Sequence, residues 1–203
     1  MSISAKLFSV LKIYDSIAQA ERDFIMARLN TIKNTDMTKR QRQIYEEIVS
    51  GPRGQVRGPL NIWLYRPELA ERAQRLGQYC RYDTSLEPRL SELAILTTAR
   101  IWDAGFEWQA HVPHALSGGV DRSVIDSLGA DQTPNFANED EEIVYRVTRE
   151  INTTRQLSDD TYNQVIKILG VEATVDLIGL LGYYALISMT IKAFNIPSIE
   201  DEF

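Results

Sequence analysis

The chain has 203 residues, of which 44% are hydrophobic and 25% are charged, as is usual for a single globular domain with a substantial core. Its formal net charge of −6 argues against a general nucleic-acid-binding protein, because such proteins are usually basic. The single cysteine, Cys80, excludes an intrachain disulfide, a CxxC redox pair and a cysteine-based zinc site. One thiol fits a reducing compartment, and we expect a cytoplasmic protein.

No targeting or membrane segment is predicted. Residues 1–25 carry charges within their apolar part and lack a clean cleavage site for a secretory signal. The most apolar run, 177–191, is shorter than the about 20 residues that a membrane span needs. We interpret this run as a helix buried in a core or in a subunit interface, and we expect no membrane partner.

Helix signals begin early in the chain. Thr38 precedes an amphipathic helix that Gly51 ends, and a glycine-rich connector follows at 51–59. Pro67 stands at a first helical position and predicts the next helix. A third helix, 87–102, is apolar on most sides, which predicts that it is buried.

The second half of the chain continues this pattern. The tripeptide DAG at 103–105 breaks the third helix and starts the next one. Capping residues predict three further helix starts, at Asp121, Asn138 and Ser158. Gly170 ends the helix after Ser158, and a last helix covers roughly 172–194. No segment alternates with period two, so we predict a compact all-α protein of about seven or eight helices.

The segment EWQAHVPHA, 107–115, holds both histidines of the chain. On a helix, Glu107 and His111 share a face because they are four residues apart, and His114 shares it approximately. Pro113 removes a backbone donor and predicts a kink. The cluster is compatible with an ordinary surface pair, with acid/base chemistry or with a metal site. The proline and the lack of an HExxH pattern weigh against the metal.

Glu92 is a carboxylate in an otherwise apolar helix. Burial without a partner would cost several kcal/mol, so Glu92 must reach solvent, pair with a cation or hold a proton. Arg100 lies about two turns further along the same side, and His111 is a second possible partner. A solvated position at the helix edge is the simplest alternative.

Two arginines, Arg53 and Arg57, lie among the glycines of the 51–59 connector. Guanidinium groups bind carboxylates in a bidentate way, and glycines let the backbone turn towards a ligand. The alternative is a solvated loop with two charges. No lysine–serine or lysine–threonine pair follows, so the loop is not a phosphate-binding P-loop.

The chain resembles the carboxymuconolactone decarboxylase and alkyl hydroperoxidase D superfamily from about residue 37 to 197. The resemblance rests on GPRG…GP at 51–59, on RPELAERAQRLGQY at 66–79 and on RLSELAILTTARIWDAGFEWQAHVPHALSGGV at 89–120. In the last string, Glu92, then His111 nineteen residues on and Gly119 eight further on match the active-site skeleton of the family.

The same resemblance separates the branches of the superfamily. The CxxC cysteines of the hydroperoxidase branch fall on Ala104 and Glu107, so thiol peroxidase activity is not expected here. The resemblance implies the decarboxylase-like branch, whose members are all-α homo-oligomers, commonly trimers or hexamers, with no metal or organic cofactor. It also makes 1–25 an N-terminal extension, expected to be helical, and 26–203 a single domain.

The implied function is a cofactor-independent decarboxylase, or a related proton-transfer enzyme, acting on a small carboxylated molecule such as a carboxymuconolactone-type lactone. His111 is the candidate proton donor, Glu92 orients it or relays the proton, and Glu107 is a second carboxylate in the pocket. Candidate substrate-binding residues are Arg53, Arg57, Arg100, Trp108 and His114. An isomerase or hydratase, or a catalytically silent oligomeric ligand-binding protein, remains the alternative.

Overall fold

The computed structural model describes residues 27–199, and this part of the chain contains eight α-helices and no strand. The helices are α1 (Lys39–Ser50), α2 (Pro59–Trp63), α3 (Pro67–Gln78), α4 (Pro88–Ile101), α5 (Gly105–Gly118), α6 (Arg122–Gly129), α7 (Glu139–Thr154) and α8 (Asp159–Phe194). A π-helical turn, Tyr79–Asp83, extends α3. The all-α prediction is therefore confirmed, while the proposed extension 1–25 lies outside the described residues.

Helix α4 is the centre of the fold. Every residue from 90 to 99 is buried, and α4 packs against α5, α6, α7 and α8. A helix that contacts neighbours on all sides must be apolar on all sides, which explains the sequence pattern. Glu92 lies near the N-terminal end of this buried helix, so the core itself surrounds the carboxylate.

Most of the predicted caps are confirmed. Thr38 forms a reciprocal capping box at the start of α1, and Asp121 and Ser158 accept backbone N–H groups at the starts of α6 and α8. Asn138 does precede α7, but its side chain caps no backbone group. It donates instead to Oε2 of the buried Glu141 carboxylate at 3.0 Å.

Helix α8 contains the predicted break at Gly170, whose φ of 82° is left-handed and interrupts the helical backbone. The two halves, 159–169 and 171–194, match the two helices expected from the sequence. Within residues 27–199, no helix combines the length and apolarity required to cross a membrane.

Two anchors fix the elements that surround α5. Asp176 on α8 accepts from the Tyr79 hydroxyl at 2.6 Å and from the Ser85 N–H at 2.9 Å, which holds the π-helical turn at both ends. Trp63 Nε1 donates to Thr190 Oγ1 at 3.0 Å and attaches α2 to α8. The sequence predicted neither α2 nor the π-helical turn.

Candidate active site

His111 lies buried between two carboxylates. Its Nδ1 is 2.6 Å from Glu92 Oε2, and its Nε2 is 3.0 Å from Glu107 Oε1. His111 is 3% exposed, Glu92 7% and Glu107 6%. This burial excludes two of the alternatives that the sequence left open, a solvated Glu92 at a helix edge and an ordinary surface pair of Glu107 and His111.

The local sequence explains this arrangement. Glu107 and His111 are one turn apart on α5, so both side chains lie on the face that packs against α4. Asp103, with a φ of 49°, turns the chain sharply between the two helices and brings Glu92 opposite His111. Pro113 does not end the helix, since α5 continues to Gly118.

The two carboxylates control the charge of the imidazole. Burial by itself lowers the pKa of His111, but its hydrogen bonds to Glu107 and Glu92 outweigh burial and raise the pKa above the ordinary value. The protonated ring donates to both carboxylates at once, and the cluster then keeps one excess negative charge. Such a cluster can hold a proton and pass it along a short path.

Two buried tyrosines of α8 lie next to this cluster. The Tyr184 hydroxyl is 3.3 Å from His111 Nε2, and the two rings meet edge to face with centroids 5.3 Å apart. Burial raises the pKa of Tyr184 well above its usual range, so the hydroxyl stays protonated. Tyr183 is adjacent, but its hydroxyl points to Arg53 rather than to His111.

A cavity of about 190 Å³ opens beside the cluster. Its lining includes Glu107 and His111 of the cluster, whereas Glu92 lies behind them. The charged and polar residues around it are Arg53, Gln55, Arg57, Arg81, Tyr82, Glu107, His111 and His114. The cavity is therefore rich in guanidinium groups, and Glu107 is the carboxylate that faces its interior.

Arg53 is held in place by Tyr183 and by a close approach at Gly77. Arg53 Nη2 donates to the Tyr183 hydroxyl at 2.9 Å. A Cβ atom at Gly77 would overlap both of these atoms, so only glycine leaves room for the contact. Arg57 lies over the Phe106 ring at 5.9 Å from its centroid.

Arg81 is a cavity residue that the sequence analysis missed. It lies in the π-helical turn, a type of irregularity that is frequent at functional sites. The buried Nε atoms of Arg53 and Arg81 have no hydrogen-bond partner in the described part of the chain. None of the residues Arg53, Arg57 and Arg81 forms an ion pair within residues 27–199.

The remaining candidates lie elsewhere. Arg100 and Trp108 line a separate cavity of about 150 Å³, so the structure does not bring them to His111. His114 is exposed at the edge of the main cavity, with its ring centroid 5.6 Å from that of His111. Partial burial and the nearby Arg81 charge lower the pKa of His114, which favours its neutral form.

The cluster does not have the form of a metal centre. Glu92 and Glu107 bond to opposite nitrogens of the same ring, so their oxygens do not converge on one point. In the described part of the chain, no three His, Cys, Asp or Glu side chains are grouped to hold a metal ion.

Fold and site together define an all-α protein with a carboxylate–histidine–carboxylate cluster at an arginine-lined cavity. A sequence model of the carboxymuconolactone decarboxylase family matches residues 67–142, which include Glu92 and His111. A crystal structure from Agrobacterium tumefaciens has the same fold, with a TM-score of 0.61 and 16% sequence identity. The match covers 70% of this chain and 98% of that protein, which is named as of unknown function and as a candidate antioxidant defence protein AhpD.

The family model confirms the resemblance to the carboxymuconolactone decarboxylase family over residues 67–142, and the solved structure shows the fold. No curated protein matches the chain.

Proposed function

We propose that the protein is a cofactor-independent enzyme that transfers a proton to a carbon atom of a small carboxylated substrate, with decarboxylation of an unsaturated lactone acid as its reaction. One observation carries the proposal: His111 is bonded to Glu92 and Glu107 beside a cavity lined by three arginines without ion-pair partners within residues 27–199. The family match supports the same class of chemistry.

The three guanidinium groups of Arg53, Arg57 and Arg81 bind the anionic substrate. Guanidinium groups match carboxylates geometrically and stay charged. Because these three have no ion-pair partner within residues 27–199, binding a carboxylate breaks no existing ion pair. When the carbon–carbon bond to the leaving carboxylate breaks, CO₂ departs and the electron pair moves into the unsaturated lactone. The resulting dienolate charge is stabilised by the same cations.

Glu107 then delivers the proton to carbon. Both ring nitrogens of His111 face carboxylates, so the proton reaches the cavity through Glu107, which lines it. The proton that Glu107 delivers comes from Nε2 of His111, which becomes neutral, while Glu92 holds the ring by accepting from Nδ1. Solvent returns one proton to the cluster, which balances the proton carried away by the product. This assignment gives Glu107 the role that the sequence had suggested for His111.

The test is a screen of unsaturated carboxylated lactones in D₂O, followed by NMR for released CO₂ and for deuterium at carbon. We expect one deuterium per CO₂, and strongly reduced turnover in Glu107→Gln. The matched control is Glu68→Gln, a change to an exposed glutamate on α3. If no lactone is turned over, or Glu107→Gln is as active as the control, the proposal fails. Deuterium exchange without CO₂ would indicate an isomerase.

Self-association is part of the proposal. The second half of α8 exposes an apolar stripe in which Val171 is 62% exposed, Val175 65%, Ile178 41% and Met189 50%. Their spacing places them along one side of the helix, and such a stripe is typical of a protein interface. A second copy of the chain is the partner that the family resemblance implies, in a trimer or hexamer.

A further inference from the structure

His111 Nε2 has two neighbours that require opposite states of the ring. Glu107 Oε1, at 3.0 Å, accepts a hydrogen bond only when Nε2 carries a proton. The Tyr184 hydroxyl, at 3.3 Å, can donate to Nε2 only when Nε2 carries a lone pair. The Nδ1 atom keeps its bond to Glu92 in both states, since neutral imidazole still has one N–H.

Tyr184 depends on this contact. Its side chain is 2% exposed, and its hydroxyl has His111 as its hydrogen-bond partner within residues 27–199. A buried hydroxyl whose proton finds no acceptor is costly. The neutral ring provides that acceptor and the cationic ring does not, so Tyr184 opposes the effect of Glu107.

We propose that Tyr184 is a positioning residue that stabilises neutral His111. Its hydroxyl donates to Nε2 once the ring has transferred the Nε2 proton to Glu107. The catalytic meaning of this step rests on the function proposed above. After Glu107 has protonated the substrate it is again a carboxylate, and a bare Nε2 lone pair would face it at 3.0 Å. The Tyr184 donor removes that repulsion until a proton returns to the ring.

Charged and titratable groups approach His111 from every side. They are Glu92 from α4, Glu107 and His114 from α5, Arg81 from the π-helical turn, Arg53 and Arg57 from the 51–59 connector, and Tyr183 and Tyr184 from α8. Burial lowers the pKa of His111 and the two carboxylates raise it further than burial lowers it. Tyr184 limits this rise, because among residues 27–199 it is the neighbour whose hydrogen bond at Nε2 requires the neutral ring.

The full chain without substrate is sufficient for the test, because it has two histidines and His114→Gln assigns their signals. The imidazole ¹⁵N shifts are followed from pH 5 to 10 in wild type and in Tyr184→Phe. We expect the titration midpoint of His111 to rise by about 0.5–1 pH unit in the variant, the size for one neutral hydrogen bond. The matched control is Tyr183→Phe, whose hydroxyl bonds to Arg53, and it should leave the midpoint unchanged.

A second measurement uses wild type alone, in case Tyr184→Phe does not fold. The ¹³Cζ shift of Tyr184 should change at the same midpoint as His111, because its hydroxyl donates to Nε2 only when the ring is neutral. The proposal is overturned by a Tyr184→Phe midpoint that stays or falls, by equal shifts in both tyrosine variants, by a Tyr184 signal that ignores His111, or by a His111 that stays charged up to pH 10. None of these readouts requires turnover, so the titration result does not depend on the outcome of the lactone screen.

Discussion

Replacing His111 by glutamine should destabilise the protein strongly, while the same change at His114 should not. Glutamine cannot carry the charge that faces Glu92 and Glu107, so two buried carboxylates lose their cation. Breaking a buried ion pair from one side costs about 3–5 kcal/mol. The exposed His114 forms no ion pair within residues 27–199, and surface substitutions usually change stability by about 0.5 kcal/mol or less.

The pH dependence has a definite sign. The pKa of His111 is raised in the folded state above the unfolded value of about 6.5. The contribution of His111 to the free energy of unfolding is therefore complete below about pH 6.5 and is lost as pH rises through the folded pKa. The stability gap between wild type and His111→Gln should accordingly narrow from pH 6.5 to pH 9.

Urea unfolding at pH 6.5, 7.5 and 9 measures both effects. With a slope near ~2 kcal/mol per molar urea, the expected loss at pH 6.5 corresponds to a midpoint lower by about 2 M. Adding Glu92→Gln to His111→Gln should recover part of the loss, since one unpaired carboxylate disappears. A loss below about 1 kcal/mol, a loss shared by His114→Gln, or a gap that widens with pH would refute the reasoning.

Three further predictions concern activity and assembly. With an identified substrate, Glu92→Gln, Glu107→Gln and His111→Gln should each lower turnover by roughly 10²–10⁴-fold, with less than multiplicative losses in pairs, whereas His114→Gln should stay within about tenfold. Burial raises the pKa of Cys80 to about 11, so little thiolate exists at neutral pH, and hydroperoxide reduction with a dithiol donor should be absent in wild type and Cys80→Ser alike. Sedimentation at micromolar concentration should show an oligomer, and a clean 23 kDa monomer would contradict the interface role of α8.

The helices were predictable because their signals are local. Thr38, Asp121 and Ser158 are side chains that satisfy the first N–H groups of a helix, and Gly170 supplies a left-handed residue, so a few neighbouring letters determine each boundary. The contact of Glu92 with His111 was foreseen only as one of several partners. Its distance depends on how α4 and α5 pack, which no local pattern encodes.

The rest of the site could not be predicted, since it depends on long-range contacts. Arg81 looks like one more residue at a helix end. It reaches the cavity because Asp176, almost a hundred positions later, holds the π-helical turn around it. The location of Arg100 also depends on packing: helical spacing predicts the side of Glu92, but the structure places Arg100 at another cavity. For Arg81, the sequence offers one weak signal of a site: a basic residue between the two tyrosines of YCRYD.

The residue four positions before His111 determines what the histidine can do. A side chain there faces Nε2 across one helical turn, and in this chain it is Glu107 at 3.0 Å. In the hydroperoxidase branch of the superfamily that the sequence resembles, the same position carries a cysteine of the CxxC pair. A thiol facing the histidine would be activated as a nucleophile, whereas a carboxylate there shares a proton with it. Under the function proposed above, the Glu92–His111 pair therefore passes a proton to a carboxylate rather than activating a thiol.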